Sequence, residues 1–233
     1  MAACLSQAGP LDPCCYVQSR MAEPISIVTK PNIGILAIQG DFAAHAAMLH
    51  SLGAETTEVR TIADLQKCDA LILPGGESTT QLQFLQEEGL GEEIKKFAAK
   101  KRPVFGTCAG AILLAARVNN PAQDSLGLLD MTILRNGYGR QLASEVSFGN
   151  SKLKSEPMEM VFIRAPIIES VGPGVEVLAE FAGKPSFVQK GNILAATFHP
   201  ELTSDSTVHQ HFLGLIKNGS ALTRAHSPER KSR

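Results

Sequence analysis

Tryptophan is absent and tyrosine occurs only twice among 233 residues, which removes the aromatic platforms on which single-stranded nucleic acids stack. Neither charge is in excess: 22 Lys and Arg against 23 Asp and Glu leave a formal net charge of −1, so no overall field draws the chain to nucleic acid. No apolar run approaches the ~20 residues that span a bilayer. The five cysteines, Cys4, Cys14, Cys15, Cys68 and Cys108, include no C-x-x-C pair, which argues against a zinc site and against a disulfide framework. These absences leave neither a metal, a membrane nor a nucleic acid to expect, and a reactive thiol suits a reducing compartment such as the cytoplasm.

What remains is an ordinary globular composition, 44% hydrophobic and 19% charged, of a size suited to one α/β domain. Met1 to Arg20 carry Pro10, Pro13 and a Cys-Cys pair without periodicity, and they lack the basic start and apolar centre of a secretory signal. Residues 1–24 therefore read as a disordered leader, 25–219 as a single domain, and 220–233 as a disordered basic tail with Arg224, Arg230, Lys231 and Arg233 against Glu229.

Along the domain, apolar runs alternate with helical periods. Ile33 to Ile38, Thr56 to Arg60, Ala70 to Leu73 and Pro103 to Gly106 read as strands, the first of the fully buried type. Between them Asp41 is expected to cap a helix with Phe42, Ala46 and Leu49 on one face, ending at Gly53. Ser78 and Gln81 have capping-box spacing for a helix over Thr79 to Gln86, and another helix is expected from Gly91 to Lys101. From Met131 to Phe198 the pattern changes to short strands with Gly and Pro turns, expected to add antiparallel strands. Val208, Phe212, Leu215 and Ile216 mark a last helix starting near Ser204. This rhythm predicts a doubly wound, mostly parallel, flavodoxin-like sheet with helices on both faces and antiparallel additions.

Chemistry concentrates at two places. The run Pro103-Val-Phe-Gly-Thr-Cys108-Ala-Gly-Ala-Ile-Leu-Leu114 has the shape of a nucleophile elbow: a strand, a strained turn with the reactive atom at its apex, then a helix, with Gly106 and Gly110 permitting close packing. Downstream, Ile193 to Phe198 ends in His199-Pro200-Glu201. A cysteine nucleophile needs a base, and the base needs an orienting group. In an extended segment the i, i+2 spacing turns His199 and Glu201 to one side. Taken singly, an apolar cysteine is more often a small buried hydrophobe, and Cys68 fits that description. The bracketing glycines set Cys108 apart.

These motifs resemble the class I glutamine amidotransferases, and within them the glutaminase subunits of pyridoxal 5′-phosphate synthase (the PdxT/SNO family). The resemblance is carried by Gly34-Ile-Leu-Ala-Ile-Gln-Gly40 with His45, Leu73-Pro-Gly-Gly-Glu-Ser-Thr-Thr80, Gly106-Thr-Cys-Ala-Gly110, Arg135-Asn-Gly-Tyr-Gly-Arg-Gln141, Phe162-Ile-Arg-Ala-Pro166 and Phe198-His-Pro-Glu-Leu-Thr203. It implies Cys108 as nucleophile, His199 as base and Glu201 as orienter. It implies a glutamine site of Gly76, Glu77, Ser78, Arg135, Ile163 and Arg164, and an oxyanion hole from Gly75, Gly76 and Ala109. Gln39 is implied to lie at the contact with a (β/α)8-barrel synthase partner in a hetero-oligomer, to which ammonia passes. No cofactor is implied. Leu142 to Phe148 depart from the family's usual segment there.

The elbow and triad alone leave other readings open: the glutaminase subunit of another class I amidotransferase, a DJ-1-like cysteine protein, or a non-catalytic regulatory partner. The segments Gly-Gly-Glu-Ser-Thr-Thr, Arg-Asn-x-Tyr-Gly-Arg-Gln and Ile-Arg-Ala-Pro favour the PdxT/SNO family, and Ala109 disfavours the DJ-1-like class, where His typically follows the cysteine.

Overall fold

The structure, a computed structural model, describes residues 30–137 and 144–224, with the backbone alone from 217 onward. The leader, the last residues of the tail, and Tyr138, Gly139, Arg140 and Gln141 of the arginine-rich motif lie outside the described residues, as do Leu142 and Ala143.

The chain runs β1 (Asn32–Leu36), α1 (Phe42–Ser51), β2 (Glu55–Val59), α2 (Ile62–Gln66), β3 (Ala70–Leu73), α3 (Ser78–Glu87), α4 (Leu90–Ala99), β4 (Val104–Thr107), α5 (Ala109–Leu114), β5 (Ala115–Asn119) and β6 (Leu129–Leu134). It continues through β7 (Ser144–Ser151), β8 (Met158–Ile163), β9 (Ile167–Val171), β10 (Glu176–Phe181), β11 (Lys184–Lys190), β12 (Ile193–Ala196), a 3-10 turn (Pro200–Leu202) and α6 (Thr207–Arg224). The last helix thus extends past residue 220 into the stretch that reads as tail in the sequence.

Among the described residues, nine strands form one sheet in the order β2-β1-β3-β4-β12-β11-β10-β7-β8. From β2 to β12 the neighbours are parallel; beyond β12 they are antiparallel. A smaller sheet, β5-β6-β9, packs beside it. The mixed architecture expected from the run pattern is what forms, because β1, β3, β4 and β12 are apolar nearly throughout and can be covered on both faces. One face is covered by α2, α3, α4 and α5 through Leu65, Leu85, Leu90, Ile94 and Leu113. The other is covered by α1 and α6, where Leu49, Val208 and Phe212 pack with Phe105, Phe187 and Phe198.

Two caps differ from expectation. Asp41 precedes α1, but its side chain makes no cap hydrogen bond; it turns toward His199 instead. Ser78 is the first residue of α3, not its cap, and Glu77 precedes it. The Ser78 hydroxyl donates to Gln123 Oε1 at 2.9 Å, and Gln81 Nε2 donates to the carbonyls of Pro74 and Gly75 at 3.2 Å each. Gln81 thus braces the Gly75–Gly76 turn, and Ser78 ties the start of α3 to the segment after β5, neither of which a local capping rule foresees.

What positions the site is the centre of the sheet. β4 and β12 are parallel neighbours, with Ala196 opposite Thr107, and β3 lies on the other side of β4. Their carboxyl ends therefore release the Pro74-Gly75-Gly76 turn, Cys108 and the His199 segment side by side, where open α/β sheets form ligand crevices.

Candidate active site

Cys108 sits at φ 48°, ψ −103° between β4 and α5, a left-handed conformation that a side chain adopts only under strain. The elbow glycines make it possible. A Cβ on Gly106 would lie 2.5 Å from Gly110 backbone atoms, and one on Gly110 would lie 1.8 Å from the Leu73 carbonyl oxygen. Strand, turn and helix could not approach this closely with any side chain there.

The Cys108 sulfur is nearly buried and faces the Ile163 carbonyl at 3.8 Å. His199 Nδ1 lies 2.8 Å from Glu201 Oε1, which leaves its Nε2 for the sulfur. The three implied catalytic side chains are thus together, with Glu201 fully enclosed behind the imidazole. Burial works against a charged His199, but hydrogen bonding with Cys108 and Glu201 outweighs it and raises its pKa to about 10. Burial pushes the Glu201 carboxyl above the usual range, opposed by its bond to His199.

A cleft of about 180 Å³ opens over the sulfur, room for a small polar molecule rather than a drug-sized ligand. Its walls include Gly76, Glu77, Ser78, Ala109, Arg135, Ile163 and Arg164, which are the residues expected from sequence. Asp41, Ile112 and Asn136 also line it, without a signal in the sequence that separates them from their neighbours. Asp41 reads there only as a cap, because one residue type serves caps and sites alike. Both signs of charge stand at the mouth, where Arg164 Nη2 lies 2.9 Å from Glu77 Oε1. A zwitterion can enter by exchanging its own two charges for that exposed pair. Besides Glu201, which stands behind His199, two expected residues are not in the wall. Gly75 lies behind it, where a Cβ would meet His199 Cε1 at 2.3 Å. Gln39 lies behind Gly76, its Nε2 3.3 Å from where a Gly76 Cβ would stand.

The backbone N–H of Ala109 begins α5, so it has no partner within the helix, and it lies beside the sulfur. Together with a donor from the Gly75–Gly76 turn it forms a candidate oxyanion hole. Asp41, His199 and Glu201 also bring ligand-type atoms within 4.8 Å of one another, but His199 Nδ1 is committed to Glu201, so this grouping follows from the triad itself. The arrangement suits acyl transfer from an amide to a cysteine.

Comparison with known proteins agrees with this chemistry. Residues 35–218 match the SNO glutamine amidotransferase family. The pyridoxal 5′-phosphate synthase subunit PdxT of Koribacter versatilis is 52% identical over 189 residues, covering 81% of this chain and 97% of that protein. PdxT of Thermotoga maritima is 47% identical over 186 residues, covering 79% and 99%. A crystal structure of a glutamine amidotransferase superposes with a TM-score of 0.75 at 43% identity, covering 79% of this chain and 98% of that one. Another glutamine amidotransferase crystal structure, from Thermotoga maritima, is 11% identical with a TM-score of 0.56, covers 86% and 87%, and shares the fold. The chain belongs to the SNO glutamine amidotransferase family.

Proposed function

We propose that this chain hydrolyses L-glutamine to L-glutamate and ammonia through a Cys108 thioester and delivers the ammonia for pyridoxal 5′-phosphate (vitamin B6) synthesis. The observation that carries the chemistry is the alignment of Cys108, His199 and Glu201 at the base of a small cleft bearing both signs of charge. The name shared by the relatives, pyridoxal 5′-phosphate synthase subunit PdxT, supports the destination of the ammonia.

In this mechanism Arg135 and Arg164 receive the α-carboxylate of glutamine and Glu77 its α-ammonium, with Gly76, Ser78 and Ile163 shaping the walls. The Cys108 proton passes to His199, and the sulfur attacks the side-chain carbonyl carbon. The oxyanion is held by backbone N–H groups of Ala109 and the Gly75–Gly76 turn, each worth ~3–4 kcal/mol in such sites. His199 gives its proton to the departing nitrogen, and ammonia leaves. His199 then takes a proton from water, which adds to the thioester, and glutamate is released with the thiol restored.

The partner in this proposal is a (β/α)8-barrel synthase in a hetero-oligomer, and the compartment is the cytoplasm, where a free nucleophilic thiol survives. Among the described residues no helix is long and apolar enough to cross a membrane. The working unit in this proposal is residues 25–219, with α6 continuing to Arg224. The test supplies glutamine labelled with ¹⁵N in its amide to the chain with and without such a synthase. Glutamate release and label in pyridoxal 5′-phosphate are expected; no glutamate above background under either condition would sink the proposal.

A further inference from the structure

Behind Glu201 lies a second row of buried polar groups that the mechanism above leaves idle. The outer carboxylate oxygen, Oε1, binds His199. The inner one, Oε2, lies 3.3 Å from Nε2 of His45, and both side chains are fully enclosed. The same His45 Nε2 is 3.1 Å from Thr107 Oγ1, and Thr107 directly precedes the nucleophile. On its far side His45 Nδ1 is 3.0 Å from Nε2 of His209. Three elements meet here, α1, α6 and the end of β4, against the ring of Phe105.

The proton positions follow from what each nitrogen faces. Nδ1 of His209 is buried with no hydrogen-bond partner among the described residues. A buried N–H without an acceptor costs more than a lone pair in an apolar setting, and orphaned donors are rare. His209 therefore carries its proton on Nε2 and donates to His45 Nδ1. A neutral His45 must then carry its own proton on Nε2, facing Glu201 and Thr107. The opposite orientation would leave an orphan donor on His209 and aim a lone pair at a carboxylate. Both rings are held neutral. Burial, with His209 and His199 adding repulsion, takes the His45 pKa well below its ordinary value, and burial takes that of His209 down to about 4. The contact between His45 and Glu201 is long and leaves Oε2 without a fully aligned donor, so His45 acts on it as an oriented dipole shared with Thr107.

We propose that His45 is a positioning residue for the glutaminase triad: with its tautomer fixed by His209, it presents an N–H to the inner oxygen of Glu201 and keeps that carboxylate charged and turned toward His199. The inference rests on the glutaminase reading and adds to it a row of donors running from α6 through α1 to the triad. Among the described residues, Glu201 otherwise meets its own backbone N–H, His199 and Asp41, and Asp41 is a like charge. Without the dipole behind it, Glu201 takes up a proton more readily as pH falls. A neutral Glu201 no longer supports a charged His199, so the acid limb of turnover moves to higher pH.

The test measures glutamate release by the full chain, alone and with the synthase, as kcat and KM against pH. His45→Leu is expected to lower kcat ~10–100-fold, as small losses of alignment do. KM for glutamine should stay within about twofold and the acid limb should move upward. His45→Gln, whose amide N–H reaches the place of Nε2, is expected to stay within about fivefold of wild type with the limb unmoved. Where His45→Leu does not fold, His45→Gln against His45→Asn decides, since the shorter amide reaches only the place of Nδ1. Gln active and Asn impaired supports the inference, and equal activity overturns it. A His45→Leu enzyme with wild-type kcat, or a loss that His45→Gln does not recover with the limb unmoved, also overturns it. A wild-type chain that releases no glutamate alone or with the synthase overturns the glutaminase reading itself. An active wild type unaffected by these variants overturns only the role of His45.

Discussion

The backbone N–H of Cys108 donates to the carbonyl of Ala196 at 2.8 Å, so Cys108 is tied by its own main chain to the strand that leads to His199. The separation of Cys108 and His199 is therefore set by the sheet, whose β4–β12 register is continuous up to Thr107 and Ala196, and not by a loop. Rigid strand ends are where a catalytic geometry is held best.

Removal of the sulfur should accordingly cost chemistry and little else. Cys108→Ala keeps the main-chain bond to Ala196 and deletes one buried atom, so the melting temperature should change by only a few degrees. Glutamate release should fall at least about a thousandfold, as in other triads lacking the nucleophile. Steady-state assay and thermal melting of the same preparation check both halves; near-wild-type turnover would remove Cys108 from the mechanism.

Cysteine reactivity should separate the two described thiols. Burial, reinforced by Asp69 and Asp64, pushes the Cys68 thiol up to about 11, and its Sγ donates to the Asp64 carbonyl at 3.2 Å. Cys108 faces the cleft and His199. An alkylating glutamine analogue is expected to label Cys108 at neutral pH and spare Cys68, read by peptide mapping. Label mainly on Cys68 would contradict the assignment.

The elbow glycines should be intolerant for reasons of space. A Cβ at Gly110 would lie 1.8 Å from the Leu73 carbonyl oxygen, whereas at Gly214 in α6 it would meet nothing within 4 Å. Gly110→Ala should destabilise by about 3 kcal/mol or more, or prevent folding. Gly214→Ala should be neutral or stabilising by up to about 1 kcal/mol. Urea unfolding of the two variants checks this, and equal stabilities would mean that the close approach at the elbow is not needed.

Much of this is readable from local pattern. The apolar runs of β1, β3 and β4 and the glycine-bracketed cysteine carry their meaning within a few residues, and the expected residues that do line the cleft come from segments at strand ends. Other features have no local signature. β5, only five residues long and at the edge of its sheet, directly continues the apolar run after Cys108 without a turn residue to mark its start. α2 is a single short turn, below the length at which periodicity can be seen. His45 and His209 are 164 positions apart, and neither has a spacing that points to the other; only the folding of α1 and α6 onto the same face joins them.

Stability against pH should fall on both sides of neutrality, for opposite reasons. His199 has a folded pKa of about 10 against an ordinary 6.5, so its contribution is fully present below 6.5 and is lost as pH rises through about 10. His209 has a folded pKa of about 4 against 6.5, so its contribution is fully present above 6.5 and is lost as pH falls through about 4. The second shift corresponds to about 3 kcal/mol. His209→Gln keeps a donor for His45 but does not titrate, and it should flatten the acid side of the unfolding free energy. Glu201→Gln removes one of the two partners that keep His199 protonated and should flatten the alkaline side. Unfolding at pH values of about 4.5, 6.5 and 9, chosen to lie within these two windows, measures both slopes; unchanged slopes in the variants would show that other groups set the limbs.

The turn proposed to supply one oxyanion donor is in contact with Gln39, and this predicts dependence on the synthase. A Cβ on Gly40 would lie 1.8 Å from the Gly75 carbonyl oxygen, so the Gln39–Gly40 turn rests directly on Gly75. Gln81 Nε2 holds that same carbonyl from the other side at 3.2 Å. Gly76 has φ 133°, a conformation open to glycine, so the Gly75–Gly76 peptide can reorient where another residue would be locked. A partner pressing on Gln39 can therefore change where the Gly76 N–H points, and with it a donor worth ~3–4 kcal/mol at the transition state. Coupling turnover to the partner also has a chemical advantage, because ammonia released into water is protonated and lost to the acceptor. Glutamate production is expected to be weak in the isolated chain and to rise when purified synthase is added, with Gln39→Ala blunting the rise while leaving the weak basal rate. Full activity of the isolated wild-type chain would reject the coupling. A normal response of Gln39→Ala would keep the coupling but move its relay away from Gln39.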